Sequence, residues 1–257
     1  MNYLTRFFKF LFSCYGFVVF LLLLILIFPL VFVASMFGKI RGGNFIYKLC
    51  SLWARSLLFL TAIRHKNLYE SPHDPTQQYV FVFNHISYLD APALLISFRK
   101  QHFRVLGKAD MGKFPLIGFI YRNAAVLVQR EIAMHRAKSV LILKSVLKKG
   151  ISIVISPEGT FNITTYPLQK FYEGAFRIAI ETQTPIKPVL FPDNFDRLNY
   201  KNIFSLCPGV MRAVFLEEIK TSGYTEMDIN LLKEMVFKKM EEGLIRYKAN
   251  WIESGIE

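Results

Sequence analysis

The stretch "FVFNHISYLDAP", residues 81–92, places a histidine and an aspartate just after an apolar run typical of a buried strand. His85 and Asp90 are five residues apart, a spacing that points two side chains to different sides of a continuous helix. Ala91 and Pro92 follow the aspartate, and proline in a first turn is typical of a helix start. A strand end, a turn and a helix start can therefore bring the Asp90 carboxylate to the His85 ring.

Such a pair can act as a general base, because the aspartate fixes the imidazole tautomer and leaves the other ring nitrogen free to take a proton. The sequence has no Gly-x-Ser-x-Gly elbow and no paired cysteine motif. Ser87 lies too close to His85 in sequence to be assigned as a nucleophile. We therefore expect a substrate hydroxyl to attack an activated acyl group. The alternative is a purely structural hydrogen bond between histidine and aspartate.

Short segments rich in branched and aromatic residues predict six strands: "QYVFVF", "FRVLG", "AAVLVQ", "GISIVIS", "TPIKPVLF" and "MRAVFLEEI". Helical patterns alternate with several of them, and residues 226–249 predict a closing amphipathic helix. This alternation predicts an α/β fold with a largely parallel sheet flanked by helices. Ligands in such sheets bind beyond the carboxyl ends of the strands. Polar clusters follow three predicted strands: Asn84-His85, Gln129-Arg130 and Pro157-Glu158-Gly159-Thr160.

The N-terminal part of the sequence is strongly apolar. No charged residue occurs from Phe10 to Gly38, and about 20 apolar residues suffice to span a bilayer. The run is too long for a signal-peptide core, and no convincing cleavage site follows it. Pro29 would kink or end the helix. One spanning helix and an arm that dips into one leaflet and returns are both compatible with this pattern.

The next stretch, "FIYKLCSLWARSLLFLTAI", predicts either an interfacial helix with Trp53 at headgroup depth or an ordinary core helix. We therefore divide the chain into a membrane-anchoring helical region, residues 1–66, and an α/β domain, residues 67–257. Basic residues cluster after the apolar run, at Lys39, Arg41, Lys48, Arg55, Arg64 and Lys66. By the positive-inside rule the active domain lies on the cytoplasmic face, and we expect a bacterial inner membrane.

Composition supports a membrane partner. The chain is 53% hydrophobic and carries a formal charge of +13, a combination that favours an anionic bilayer surface. Nucleic acid is not an expected partner, because zinc-finger spacing and an RNA-binding aromatic signature are both missing. Cys14, Cys50 and Cys207 have no metal or redox spacing, so we expect free thiols and no metal site.

Four segments together resemble a known family, the glycerolipid acyltransferases typified by 1-acyl-sn-glycerol-3-phosphate acyltransferase. The family motif Asn-His-x-Ser-x-x-Asp reads "NHISYLD" here, and Gly-x-x-x-x-x-Arg reads "AAVLVQR". Phe-Pro-Glu-Gly-Thr-Arg reads "SPEGTF", and Val-Pro-x-x-Pro-Val reads "TPIKPV". The four segments follow in the family's order between about residues 78 and 192, which is far more specific than any one of them.

The resemblance implies roles for these residues. His85 would be the general base, Asp90 would orient it, and Arg130 would bind the phosphate of the acceptor. Glu158, Gly159 and Thr160 would shape the acceptor pocket, with backbone N–H groups near Gly159 available to the ligand. The family uses no metal and no other cofactor. Its acyl donor is a thioester of acyl carrier protein or coenzyme A.

Two positions depart from the family motifs. Phe161 replaces the arginine of the third motif, and Ala124 replaces the glycine of the second. Lys108, Lys170 or Arg177 could supply the cation that Phe161 removes. Alternatively, the acceptor carries less negative charge than a phosphate monoester.

The sequence thus predicts a membrane-bound O-acyltransferase of phospholipid biosynthesis. It would acylate lysophosphatidic acid to phosphatidic acid. The alternatives are the same reaction on another hydroxylated lipid such as an acyl-amino-acid lipid, a thioesterase, and a lipid-binding module without turnover.

Overall fold

The computed structural model describes residues 3–129 and 132–253 of the chain. Seven strands form one sheet in this part of the chain: β1 (Ile63–Tyr69), β2 (Val80–Phe83), β3 (Phe103–Lys108), β4 (Val126–Val128), β5 (Ser152–Ile155), β6 (Ile186–Leu190) and β7 (Gly209–Phe215). The α-helices of the same residues are α1 (Tyr3–Ser35), α2 (Gly43–Leu60), α3 (Asp90–Ser97), α4 (Ile117–Ala124), α5 (Ala133–Leu147), α6 (Gly174–Glu181), α7 (Asn194–Arg197) and α8 (Ile229–Arg246).

The strand order is β1-β7-β6-β2-β5-β3-β4. Neighbouring strands are parallel except β6 and β7, so β1 and β7 run against the other five strands. This mostly parallel sheet confirms the predicted fold class, and all six predicted strands are present. The sequence analysis missed β1, because its "IRHKNLY" alternates apolar with basic and polar residues at the edge of the sheet.

Helices cover both faces of the sheet, so the fold has three layers. On one face α5, α6 and α8 bury side chains such as Leu143, Phe176 and Met240 against the strands. On the other face α1 to α4 contribute a second apolar cluster that includes Val31 and Leu94. The carboxyl ends of β2, β5, β3 and β4 therefore lie at one edge between these layers. We call it the catalytic edge below.

The first helix is one continuous element. Within the described residues α1 alone is long and apolar enough to cross a membrane by length and composition. Pro29 lies inside α1 and does not end it. Many of its large apolar side chains are exposed, among them Leu22 at 62% and Leu26 at 71%. Its other side packs against α2, which is the face that carries Val31.

A tight turn of π-helical form, Gly38–Gly42, reverses the chain between α1 and α2. Gly42 is required there, since a Cβ atom on it would lie 2.2 Å from the Ala34 carbonyl oxygen. The buried guanidinium of Arg104 in β3 donates hydrogen bonds of 3.0 Å to the carbonyl oxygens of Lys39 and Ile40. The turn between the two N-terminal helices is therefore fastened to the sheet.

The predicted N-terminal region is continuous with the α/β core. Trp53 is buried and meets the ring of Phe20 edge to face at 5.2 Å, so it packs between α1 and α2. Its depth relative to a bilayer stays a prediction. The predicted boundary after residue 66 falls inside β1, which pairs with β7 along its whole length. The division into an anchoring region, 1–66, and a catalytic domain, 67–257, stays a prediction.

Candidate active site

The end of β2 delivers two polar side chains to the catalytic edge. Asn84 is buried and faces the end of β6, where its Oδ1 accepts the Phe191 N–H at 2.8 Å. Its side-chain amide donates to the Phe191 carbonyl oxygen at 3.4 Å. His85 follows directly, with its side chain 31% exposed. Asn84 thus fixes the strand end, while the imidazole of His85 remains accessible.

Asp90 begins α3, as the sequence predicts, and turns back toward His85. Its Oδ2 accepts hydrogen bonds from His85 Nδ1 at 2.7 Å, Ile86 N at 2.8 Å and Ser87 N at 2.9 Å. Its Oδ1 accepts from Asn194 Nδ2 at 2.7 Å. The Asp90 side chain is only 1% exposed, and a buried carboxylate needs donors of this kind.

This geometry favours one tautomer of the imidazole. An ionised carboxylate can only accept hydrogen bonds. Nδ1 of His85 therefore carries a hydrogen and donates it in the hydrogen bond to Asp90. In the neutral ring Nε2 then has a free lone pair. A partly exposed ring with a free Nε2 and a buried carboxylate behind it has the form of a general base.

A turn after β5 brings the third-motif residues to the same edge. Gly159 adopts a φ of +75°, a conformation that favours glycine. Its N–H donates to the Ser156 carbonyl oxygen at 3.1 Å. The turn thus uses the N–H of Gly159 itself, and the availability of the other backbone N–H groups near Gly159 to a ligand stays a prediction.

Glu158 supports the histidine from this turn. It is 2% exposed, and its Oε1 accepts the His85 N–H at 2.9 Å while its Oε2 accepts the Gln169 N–H at 2.9 Å. Burial raises the pKa of Glu158 to about 8, although both N–H groups act to lower it. The carboxyl group therefore joins the β5 turn to the backbone of the proposed base. A role for Glu158 in acceptor binding stays a prediction.

Aromatic rings surround the imidazole where the family has a cation. The centroid of the Phe161 ring lies 4.2 Å from that of His85. Tyr88 meets Phe161 edge to face with ring centroids 5.2 Å apart, and Tyr200 stacks with Phe161 at a centroid distance of 6.0 Å. The surroundings of His85 on this side are thus apolar and aromatic.

The remaining predicted site residues are not joined to His85 by the described contacts. Lys108 lies at the end of β3 and forms an ion pair with Asp110 at 3.1 Å. Thr160 is exposed to solvent. Arg177, named as another source of positive charge, lies 3.7 Å from Glu173 on α6. Arg130 lies outside the described residues, so its predicted phosphate contact stays a prediction.

The sequence analysis missed Asn194 and Gln169, which both hold the acidic side chains of the site. Asn194 follows β6, so the same argument from strand ends could have found it. Gln169 contributes through its backbone N–H, and the residue type carries no signal for that contact.

The sequence matches known proteins. The family model "Acyltransferase" matches residues 62–191, just over half of the chain. The chain is 28% identical over 178 residues to 1-acyl-sn-glycerol-3-phosphate acyltransferase alpha of Mus musculus, covering 65% of this chain and 58% of that protein. It is 27% identical over 168 residues to 1-acyl-sn-glycerol-3-phosphate acyltransferase of Borreliella burgdorferi, covering 63% of this chain and 66% of that protein. The match therefore spans less than two thirds of these relatives.

A solved structure has a similar fold. The crystal structure of the 1-acyl-sn-glycerophosphate (LPA) acyltransferase PlsC from Thermotoga maritima superposes with a TM-score of 0.72 at 18% sequence identity. The superposition covers 98% of this chain and 100% of that one. The fold likeness thus includes the N-terminal helices as well as the sheet.

Proposed function

The chain belongs to the acyltransferase family, and from this premise we propose that it transfers an acyl group from a thioester to the hydroxyl of lysophosphatidic acid. The product would be phosphatidic acid. The hydrogen bond of 2.7 Å between His85 Nδ1 and the buried Asp90 carboxylate carries the proposal, because it presents a base at the catalytic edge. Relatives named 1-acyl-sn-glycerol-3-phosphate acyltransferases support the choice of acceptor.

In the proposed reaction Nε2 of His85 takes the proton of the acceptor hydroxyl as its oxygen attacks the thioester carbonyl carbon. A C–O bond forms, the C–S bond breaks, and the imidazolium returns its proton to the departing thiolate. Asp90 stabilises the imidazolium and holds the ring in place. General-base assistance of this kind is worth about 10²- to 10⁴-fold in rate.

We further propose that the N-terminal helices anchor the enzyme in a membrane. The length, apolar composition and exposed side chains of α1 support this proposal. The basic residues after α1 favour a cytoplasmic orientation, in keeping with a bacterial inner membrane. The donor in this proposal is an acyl thioester of acyl carrier protein or coenzyme A, and the chemistry uses no metal.

A second acceptor class is favoured by the rings around His85. Phe161 stands where the family has an arginine, and Tyr88 and Tyr200 contact it. Aromatic rings do not neutralise a phosphate dianion as a guanidinium does. An acceptor without a phosphate monoester, such as a hydroxylated acyl-amino-acid lipid, would fit this surface.

A comparison of acceptors decides between these proposals. The full chain, reconstituted in liposomes, would receive a labelled acyl thioester with lysophosphatidic acid, with a hydroxylated acyl-amino-acid lipid, or with no acceptor. We expect labelled phosphatidic acid to dominate. Preferential acylation of the amino-acid lipid would favour the second acceptor class. Free fatty acid released equally with and without an acceptor would indicate a thioesterase and contradict both proposals.

A further inference from the structure

A large cleft lies between the C-terminal half of α2, strand β1 and the turn from α3 to β3. Its volume is about 1530 Å³. Four basic side chains line it: Arg55 from α2, Arg64 from β1, and Arg99 and Lys100 from the turn. No Asp or Glu is among its lining residues in the described part of the chain. We call this cavity the cationic cleft.

The four basic side chains of the cleft are exposed, and none has an acidic partner in the described part of the chain. Among the residues that the structure describes, none of the four forms an ion pair, whereas Arg212 lies 2.6 Å from Asp193 and Lys239 lies 2.9 Å from Glu217. Four like charges around one volume repel each other and create a positive potential in it. A bound anion would relieve this repulsion, and guanidinium groups fit phosphate oxygens in a bidentate manner.

The wall of the cleft also carries exposed apolar surface. Phe59 and Leu52 of α2 line it and are 82% and 55% exposed. Buried Ile96 and Phe98 lie on the α3 side of the same cavity. Inorganic phosphate would contact only the cations. An amphiphile with an anionic headgroup would use the cations and the apolar side chains together.

The cleft is separate from the proposed catalytic machinery. Helix α3 begins with Asp90 at the catalytic edge and leads to Arg99, nine positions later, which corresponds to roughly 14 Å along a helix. A second cavity of about 420 Å³ adjoins the cleft and shares Pro75, Arg99, Lys100 and Gln101 with it. Arg99 and Lys100 therefore line both cavities. They are the best positions for substitutions that test anion binding.

From these observations we propose that the cationic cleft binds the phosphate headgroup of an anionic phospholipid, at a site distinct from the acceptor site beside His85. The headgroup phosphate is held by basic side chains of the cleft, Arg99 and Lys100 among them, and the acyl chains of the lipid lie on Leu52 and Phe59. The site would position the protein on anionic regions of the bilayer. The proposal does not depend on acyl transfer, because binding is measured without a donor.

The test uses the purified full chain in neutral detergent, titrated with dihexanoyl phosphatidylglycerol, dihexanoyl phosphatidylcholine or inorganic phosphate. Hydrogen–deuterium exchange of peptides covering residues 60–70 and 96–103 reports on the cleft. Peptides covering residues 84–91 report on the catalytic edge. The test variant is Arg99→Gln/Lys100→Gln, and Lys233→Gln/Lys238→Gln on α8 is the charge-matched control on the other face of the sheet. Unfolding temperatures confirm that both variants are folded.

We expect phosphatidylglycerol to slow hydrogen exchange in the cleft peptides. The test variant should bind this lipid about 10- to 30-fold more weakly, at roughly 1 kcal/mol per basic residue. The control variant should bind like the wild type. Equal protection by phosphatidylcholine, or unchanged binding by the test variant, would overturn the proposal. Equal affinity for inorganic phosphate would assign the cleft to free phosphate instead of lipid. A variant that binds lipid normally but loses rate only with an acyl carrier protein donor would assign it to that acidic protein.

Discussion

The catalytic edge and the cationic cleft differ in the burial of their charged or acidic side chains and in the partners of those side chains. At the catalytic edge the acidic side chains are buried, and the protein itself supplies their partners, with four hydrogen bonds to Asp90 and two to Glu158. In the cleft the charged groups are exposed, and no described acidic side chain pairs with Arg55, Arg64, Arg99 or Lys100.

The side chains of the catalytic edge are therefore held in place by the fold itself. The basic side chains of the cleft need a bound anion as their partner. Buried hydrogen-bonded networks lose much when one member is removed, since the remaining groups stay unpaired. Exposed cations contribute small increments that salt screens. Substitutions at the catalytic edge should therefore have large effects, and those in the cleft small and roughly additive ones.

Among the substitutions below, Asp90→Asn should cause the largest loss of kcat. The amide can donate to Nδ1 of His85 and so favour the wrong tautomer, which removes the free lone pair from Nε2. We expect kcat to fall by about 10²- to 10⁴-fold with little change in KM for the thioester. Steady-state kinetics in liposomes measure this effect. A kcat within threefold of the wild type would show that the pair is structural.

Asn194→Ala should reduce kcat by about tenfold. One hydrogen bond to a charged group is worth roughly 1.5–3 kcal/mol, and only the part of it that stabilises the transition state more than the ground state affects kcat. Asn250→Ala is a matched control, since Asn250 Nδ2 donates to Asp196 Oδ2 at 2.6 Å outside the site. An equal loss in both variants would point to general destabilisation instead of positioning of Asp90.

Glu158→Gln tests the buried carboxyl group through the pH dependence of stability. The pKa of about 8 in the folded protein lies above the ordinary glutamate value of 4.5, so the folded state keeps a proton that the unfolded state has released. Wild-type unfolding free energy should thus fall between pH 4.5 and 8, by at most about 1.4 kcal/mol per pH unit from this group. Its stabilising contribution is complete below pH 4.5 and lost above pH 8.

Denaturant unfolding at pH 5, 6.5 and 8 compares the wild type with Glu158→Gln. The variant should be less stable at pH 5, because its amide NH₂ faces a backbone N–H donor. This difference should narrow or reverse by pH 8, because the amide does not titrate and the pH slope of the variant is therefore shallower. Equal slopes would mean that Glu158 is ionised in the folded protein throughout this range.

The smallest effect belongs to a single cation of the cleft. Arg64→Gln should weaken binding to phosphatidylglycerol vesicles about fivefold, which corresponds to roughly 1 kcal/mol. Raising the salt concentration should reduce the difference between variant and wild type. Vesicle sedimentation at two salt concentrations measures both quantities, and a difference that grows with salt would contradict an electrostatic contact.

Local patterns in the sequence predicted the parts of the fold that depend on apolar content. Six strands and the start of α3 at Asp90 are examples, because branched residues and Pro92 act within a few positions. Strand β1 was missed, since its stability comes from pairing with β7, about 150 positions later. Trp53 was ambiguous for a similar reason, because its partner Phe20 lies on another helix.

In the candidate site, too, contacts within one segment of the sequence were predictable and contacts between distant segments were not. The approach of His85 to Asp90 was predictable, as both lie in one strand–turn–helix segment. The contacts from Asn194 to Asp90 and from Glu158 to the His85 backbone join residues that are 104 and 73 positions apart, so only the assembled sheet reveals them. The ring of Phe161 against His85 likewise needs the fold.

The most direct test of the central claim is the turnover of His85→Gln with lysophosphatidic acid and a labelled acyl thioester. His102→Gln, at an exposed histidine before β3, is the control, and unfolding temperatures check that both variants are folded. If His85 is the general base, phosphatidic acid formation falls by at least 10²-fold in His85→Gln and stays at the wild-type rate in His102→Gln. Wild-type turnover by a folded His85→Gln protein would contradict the account.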